Sequence, residues 1–176
     1  GFIAIAVYAG ALGSGYGLFI LAALMFCAIG DVALLVRDKP KLFLLGMAAF
    51  GIGHAVYVAA FASQPMSGAG LLGGLSLGLS MSAMFIVFIW GRIPRDMRGP
   101  VGGYLLIIMA MLAAASGFAY ARELWSVWLA AVMFALSDVF VARDRFVTHA
   151  RWHPFIITPL YFGAQALFAL SVSQAL

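Results

Sequence analysis

The stretch from Tyr16 to Val36, YGLFILAALMFCAIGDVALLV, decides the fold of this protein. It is long enough to cross a bilayer, which takes about 20 mostly apolar residues, and it carries a single charge, Asp31. The cluster Arg37-Asp38-Lys39-Pro40-Lys41 stops it. Lipid offers no partner to bare backbone N–H and C=O groups, so such a run folds as a helix.

Working outward, the same pattern recurs along the whole chain. An apolar run from Gly1 to about Leu12 closes at Gly13-Ser14-Gly15. Beyond the Lys41 cluster, Leu42 to Ala62 ends before Ser63-Gln64-Pro65, and Gly70 to Trp90 ends at Arg92, Pro94, Arg95 and Arg98. Pro100 to Tyr120 precedes Arg122-Glu123, Leu124 to Ala142 precedes Arg143-Asp144-Arg145, and His153 to about Val172 is the last run. The expectation is an all-α, polytopic transmembrane bundle of about seven helices, forming one domain over residues 1–176.

Composition agrees. Hydrophobic residues make up 65% of the chain and charged residues 9%, with a mean hydropathy of +1.10. A soluble fold of this size needs more polar surface to cover its core. The net charge of +4 sits in short clusters between apolar runs, which excludes a continuous nucleic-acid-binding face. Cys27, the single cysteine, rules out an intrachain disulfide and reads as a buried, inert thiol. The run after Gly1 lacks the basic n-region of a signal peptide. It is short for a span and has no initiator Met, so residues are expected upstream of it.

Charge distribution sets the orientation. Nine of the ten basic residues fall in three alternate connections: Arg37, Lys39 and Lys41; Arg92, Arg95 and Arg98; Arg143, Arg145 and Arg151. Only Arg122 lies on the other side. The positive-inside rule makes those three loops cytoplasmic and puts the C-terminus outside, with Trp90, Trp125 and Trp152 as interfacial anchors. The excess of Arg over Lys and the richness in Ala and Gly point to a bacterial inner membrane. The many small residues read as close helix packing, and the Met residues as gap fillers.

Four of the six acidic residues, Asp38, Asp96, Glu123 and Asp144, stand in expected loops beside basic neighbours and read as solvated. Asp31 and Asp138 each interrupt an apolar helix, in Ala28-Ile29-Gly30-Asp31-Val32 and Ala135-Leu136-Ser137-Asp138-Val139. A charge there costs a few kcal/mol on insertion scales, so an intramembrane carboxylate marks function. Asp31 precedes Arg37 by six residues and Asp138 precedes Arg143 by five. At 1.5 Å per residue, both lie roughly 8–9 Å inside the cytoplasmic helix ends.

The neighbourhoods repeat as well. His54 follows Asp31 by 23 residues and Tyr161 follows Asp138 by 23, hinting at a parallel repeat about an axis along the membrane normal. Tyr57 shares a helix face with His54, and Gln165 with Tyr161. These side chains are candidates to line one cavity, with interhelical hydrogen bonding as the competing role. His149-x-x-x-His153 has a metal-like spacing without a third ligand nearby, and reads as a loop-end pair beside Arg151.

Together these residues resemble a family. Phe26-Cys27-Ala28-Ile29-Gly30-Asp31-Val32-Ala33-Leu34-Leu35 and Phe50-Gly51-Ile52-Gly53-His54-Ala55-Val56-Tyr57 resemble the Gly-Asp and His-x-x-Tyr signatures of the YhhN-like lysoplasmalogenases. Met133-Phe134-Ala135-Leu136-Ser137-Asp138, Arg145-Phe146 and Tyr161-Phe162-Gly163-Ala164-Gln165-Ala166-Leu167 are similar to that family's Ser-Asp and Tyr-x-x-x-Gln motifs. Order and spacing agree from about Phe26 to Leu170. The resemblance implies an eight-helix membrane protein whose first helix, with a Lys-Pro opening the second, is absent ahead of Gly1. It implies hydrolysis of the vinyl ether bond of lysoplasmalogens to a fatty aldehyde and a glycerophospho-ethanolamine or -choline. Its substrate would be a lysophospholipid in the bilayer.

The expected mechanism makes Asp31 and Asp138 an acid–base pair, with His54, Tyr57, Tyr161, Gln165 and Ser137 as substrate-binding residues. An enol ether is protonated on its β-carbon and the resulting oxocarbenium ion takes up water, so the site needs one neutral carboxyl and one carboxylate. Asp138 as base and Asp31 as acid is the assignment taken forward. Arg37, Lys39, Arg143 or Arg145 would hold the phosphate, and neither a cofactor nor a metal is required. The alternatives are a small proton-coupled transporter and a non-catalytic lipid-binding membrane protein.

Overall fold

The computed structural model describes residues 1–35 and 39–175. The expected stop of the second helix at Arg37, and the parts assigned to Arg37 and Asp38, lie outside the described residues. Among the described residues, seven α-helices run in order: α1 (Phe2–Tyr8), α2 (Gly15–Leu34), α3 (Pro40–Ala62), α4 (Gly68–Phe88), α5 (Arg95–Arg122), α6 (Trp125–Phe146) and α7 (His153–Ala175). Six of them, α2 to α7, are long and apolar enough to cross a membrane. The protein is an all-α, polytopic integral membrane bundle.

Local chemistry sets the helix starts. Ser14 is extended ahead of α2, and its hydroxyl accepts from the Gly17 N–H at 3.0 Å; Ser67 caps α4 in the same way through the Gly70 N–H. Pro40 opens α3, where a missing N–H has no consequence.

Two charged connections are helical rather than loops. α5 begins at Arg95 and carries Pro100 inside it, so Asp96 occupies the first turn, where the helix dipole favours a carboxylate. α6 runs beyond Ala142 to Phe146, with Arg143 and Arg145 in its last turn, where cations are favoured. A charge cluster marks the end of an apolar run, and a helix need not stop there.

Asp144 also departs from expectation. The Nδ1 atoms of His149 and His153 lie 3.0 and 2.6 Å from its Oδ1. The His149–His153 pair therefore has an acidic partner that its spacing did not reveal. On the far side of the fully buried His153 ring, Arg143 Nη1 lies 2.6 Å from Nε2. Arginine can only donate, so Nε2 accepts and Nδ1–H donates to Asp144. This string of bonds fixes the corner between α6 and α7.

Helices joined at the basic end pack as pairs: α2 on α3, α4 on α5 and α6 on α7. α3 and α6 both rest on α5, while α1 packs against α7 and α2. The α4–α5 pair depends on small residues. Gly70, Gly74 and Gly78 are buried at four-residue intervals on α4, and a Cβ at Gly74 would collide with the Leu112 carbonyl oxygen of α5.

The main core holds the fully buried rings of Tyr57, Phe61, Phe118, Phe134 and Phe168. A second cluster, Phe85, Ile89, Ile93, Met97 and Val101, fills the bundle where α4 passes into α5. The candidate site opens beside both.

Candidate active site

Asp31 and Asp138 line one cavity of about 160 Å³, with Phe50, Phe85, Tyr104, Ser137 and Tyr161 among its other walls. The two carboxyl groups stand at unequal distances from their helix ends. Asp31 is three residues from the end of α2 and Asp138 eight from the end of α6, because α6 outruns its basic cluster. They converge all the same.

Gly30 explains the Gly-Asp pairing. A Cβ at this position would lie 2.6 Å from Cε2 of Phe50. The missing side chain lets the Phe50 ring seat itself against α2 beside Asp31. Phe50, Phe134 and Tyr161 then meet edge to face, with ring centroids 5.3–6.4 Å apart, and give the cavity a rigid aromatic back wall.

Behind Asp31 stands a chain of donors. Tyr57 Oη donates to Gln165 Oε1 at 2.6 Å, Gln165 Nε2 donates to Tyr161 Oη at 3.0 Å, and Tyr161 Oη donates to Asp31 Oδ2 at 2.9 Å. Each O–H or N–H in the series points towards the carboxyl, which is an acceptor when ionised. Tyr57 and Gln165 are fully buried, so the series runs through protein rather than along the cavity surface.

Behind Asp138 the arrangement differs. Tyr104 Oη donates to its Oδ2 at 3.2 Å, and His54 Nε2 lies 3.6 Å from the same oxygen. The opposite ring nitrogen of His54, Nδ1, is 2.6 Å from the Phe50 carbonyl oxygen, which can only accept. Nδ1 therefore carries a hydrogen, and in the neutral ring Nε2 is a bare lone pair. That atom is buried and has no hydrogen-bond partner among the described residues. A lone pair facing a carboxylate oxygen is repelled, and at 3.6 Å the two atoms stand just beyond hydrogen-bonding distance.

The partners cross over. Asp31 on α2 bonds to Tyr161, the residue at matching distance after Asp138, and Asp138 on α6 faces His54, the residue at matching distance after Asp31. Such reciprocal exchange is what a two-fold relation between the α2–α3 and α6–α7 pairs produces.

Of the residues expected to bind substrate, Tyr161 and Ser137 line the cavity. His54, Tyr57 and Gln165 lie fully buried behind its wall. Ser137 Oγ donates to the Phe134 carbonyl of its own helix at 2.7 Å. Arg143 is turned to His153 and to the face of Trp152, and Arg145 lies over the Phe43 ring, 4.7 Å from its centroid. Tyr104 escaped the sequence reading. A lone tyrosine in an apolar run, without a polar neighbour at helical spacing, gives only a weak signal. Among the described residues no group of three His, Cys, Asp or Glu side chains is placed to hold a metal ion.

Comparison with known proteins gives this geometry a lineage. The model of the YhhN family matches residues 1–172. The chain is 34% identical to a Homo sapiens protein named lysoplasmalogenase TMEM86B, over 92% of this chain and 66% of that protein. It is 30% identical to a Bos taurus protein named lysoplasmalogenase TMEM86A, over 89% of this chain and 65% of that protein. A Mycobacterium tuberculosis protein named lysoplasmalogenase is 27% identical over 73% of this chain and half of its own length. The chain thus spans slightly less than two thirds of the two mammalian relatives. No solved structure matches it. With the Gly-Asp, His-x-x-Tyr, Ser-Asp and Tyr-x-x-x-Gln residues gathered around one cavity and the family match running from end to end, this chain belongs to the YhhN family.

Proposed function

We propose that the protein is an intramembrane hydrolase that cleaves the vinyl ether bond of lysoplasmalogens, releasing a fatty aldehyde and a glycerophospho-ethanolamine or -choline. The observation that carries this reading is the pair of carboxyl groups on one largely apolar cavity, one at the end of a series of donors and the other between the Tyr104 hydroxyl and the bare His54 nitrogen. The names of the mammalian and mycobacterial relatives support it.

The surroundings favour the reverse of the sequence expectation. Asp138, whose Oδ2 faces the bare His54 nitrogen, is the acid; Asp31, which receives the Tyr161 O–H, is the base. Asp138 gives its proton to the β-carbon of the vinyl ether, and the π electrons form the new C–H bond. Positive charge spreads over the α-carbon and the ether oxygen, next to the Asp31 carboxylate and the faces of Phe50 and Tyr161. Asp31 takes a proton from the water that attacks the α-carbon. The resulting hemiacetal collapses as its hydroxyl proton passes to Asp138 and the glycerol oxygen leaves with the proton from Asp31. Both side chains return to their starting states. Tyr104, His54, Tyr57 and Gln165 are positioning residues in this scheme, and Tyr161 and Ser137 face the substrate.

A vinyl ether sits next to the glycerol of its lipid, at the boundary between headgroup and hydrocarbon. Carboxyl groups placed towards the basic end of the bundle suit that depth. The proposed setting is a bacterial inner membrane with the basic connections in the cytoplasm and the C-terminus outside, as nine of ten basic residues at one end favour.

The test is aldehyde release from lysoplasmenyl-ethanolamine by purified protein, beside Asp31→Asn and Asp138→Asn. Release by the parent and loss in both variants, with helicity and thermal stability retained, supports the assignment. A well-folded parent that releases no aldehyde sinks it.

A further inference from the structure

The catalytic cavity has a neighbour that the reaction scheme does not use. A second groove of about 330 Å³ runs between α4 and α6. Met81, Met84 and Phe88 form its α4 side. Leu136, Val139, Arg143 and Val147 form its α6 side, at intervals of three, four and four residues, which is one face of a helix. The adjacent face of the same helix turns Ser137, Asp138, Val141 and Ala142 into the catalytic cavity. α6 is therefore the wall between the two spaces, and Phe85 of α4 lines both.

Three features define what the groove fits. It lies on spans that cross the membrane, and Met84 and Phe88 are exposed at 62% and 68%, so its open side faces lipid hydrocarbon. Its walls are apolar from Met81 to Val147 apart from Arg143. That guanidinium, one N–H of which is turned to His153, stands on the last turn of α6 at the basic end. A long apolar trough with one cation at its headgroup end matches a single-chain phospholipid. Phe85, 5% exposed, is the side chain that lines both this trough and the cavity of the two aspartates among the described residues.

We propose that the α4–α6 groove binds the hydrocarbon chain of the lysophospholipid substrate, and that Phe85 is the partition past which the chain's vinyl ether end enters the catalytic cavity. The proposal rests on the hydrolase reading for the identity of its substrate. As a statement about where a single-chain lipid binds, it can be tested without turnover.

The experiment uses full-length protein carrying Asp138→Asn in liposomes, with a lysophosphatidylethanolamine whose chain bears a diazirine. After irradiation, the labelled residues are located by mass spectrometry. Label concentrated on Met81, Met84 and Leu136, and competed by unlabelled long-chain lysoplasmenyl-ethanolamine, is the expected result. Leu136→Trp, which fills the groove from a lipid-facing position, should lower that label at least ~10-fold, since each methylene denied burial is worth about a fourfold change in affinity. Leu72→Trp, elsewhere on α4 and facing lipid, should leave the pattern unchanged. Uncompeted label spread evenly over Leu18, Leu72 and Met84 would mean bulk lipid contact only and overturn the groove.

Turnover separates the two readings. In the active parent, Leu136→Trp should reduce kcat/KM for a long-chain substrate at least ~10-fold and affect a short-chain one far less. Phe85→Ala should narrow the preference between chain lengths. Competed label without aldehyde release in the parent leaves the groove standing and removes the hydrolase. Aldehyde release with uncompeted label does the opposite.

Discussion

Asp31 and Asp138 look alike in sequence and open onto the same cavity, yet the structure surrounds them differently. Asp31 sits at the end of a series of donors reaching back through Tyr161 and Gln165 to Tyr57. Asp138 sits between the Tyr104 hydroxyl and a histidine nitrogen that has no proton of its own to offer. On the proposed scheme, the fold decides which of two identical side chains is the acid and which the base by what it sets behind each carboxyl. The decision falls on Phe50, whose carbonyl fixes the His54 tautomer.

The sharpest way to break this comparison is to remove each carboxyl in turn. Asp138→Ala and Asp31→Ala should each lower aldehyde release by roughly 10³-fold, within the range of general acid–base catalysis. Added formate should restore part of the activity of Asp31→Ala, because a small carboxylate can stand in for a base, and should fail with Asp138→Ala. The opposite pattern would exchange the roles.

A smaller loss is expected from His54→Phe, which keeps a ring between Phe134 and Tyr104 and removes both nitrogens. His54 does not line the cavity, so kcat should fall by ~10²-fold with KM unchanged. A rise in KM instead would place this side chain against the substrate.

On the Asp31 side, Tyr161→Phe should cost about tenfold in kcat, and Tyr57→Phe, two bonds further back, only severalfold, as each lost hydrogen bond is worth about 1 kcal/mol. If Tyr57→Phe proved the more damaging, the donor series would not be what holds Asp31. Smallest of all, Ser137→Ala should change turnover by less than about twofold, since its hydroxyl is already satisfied within its own helix.

Much of this protein was legible before any coordinates. The apolar runs foretold its helices, the two intramembrane aspartates fell on one cavity, and the family motifs fell on residues that gather around it. Several of the readings that needed revision turn on contacts between segments. Its charged sequence neighbours make Asp144 read as solvated; its actual partners are His149 and His153, the latter on the next helix. Tyr104 was passed over, although it reaches Asp138 from a helix 34 residues away in sequence. His54, Tyr57 and Gln165 read as candidates to line one cavity, and helical spacing cannot tell that they stand behind its wall rather than on it.

By itself, the sequence determined that this chain is a membrane bundle, which end is basic and which two carboxyl groups lie inside. Those properties follow from hydropathy and charge, which are summed along the chain and need no knowledge of neighbours. Only the tertiary structure decided that Asp31 bonds to Tyr161 and that Asp138 faces His54. The rotation of each helix and its closeness to the next are set by packing at places such as Gly30 against Phe50 and Gly74 against Leu112. Hydrogen bonds a few ångströms long depend on that packing, and it is a property of helix surfaces meeting rather than of any one helix.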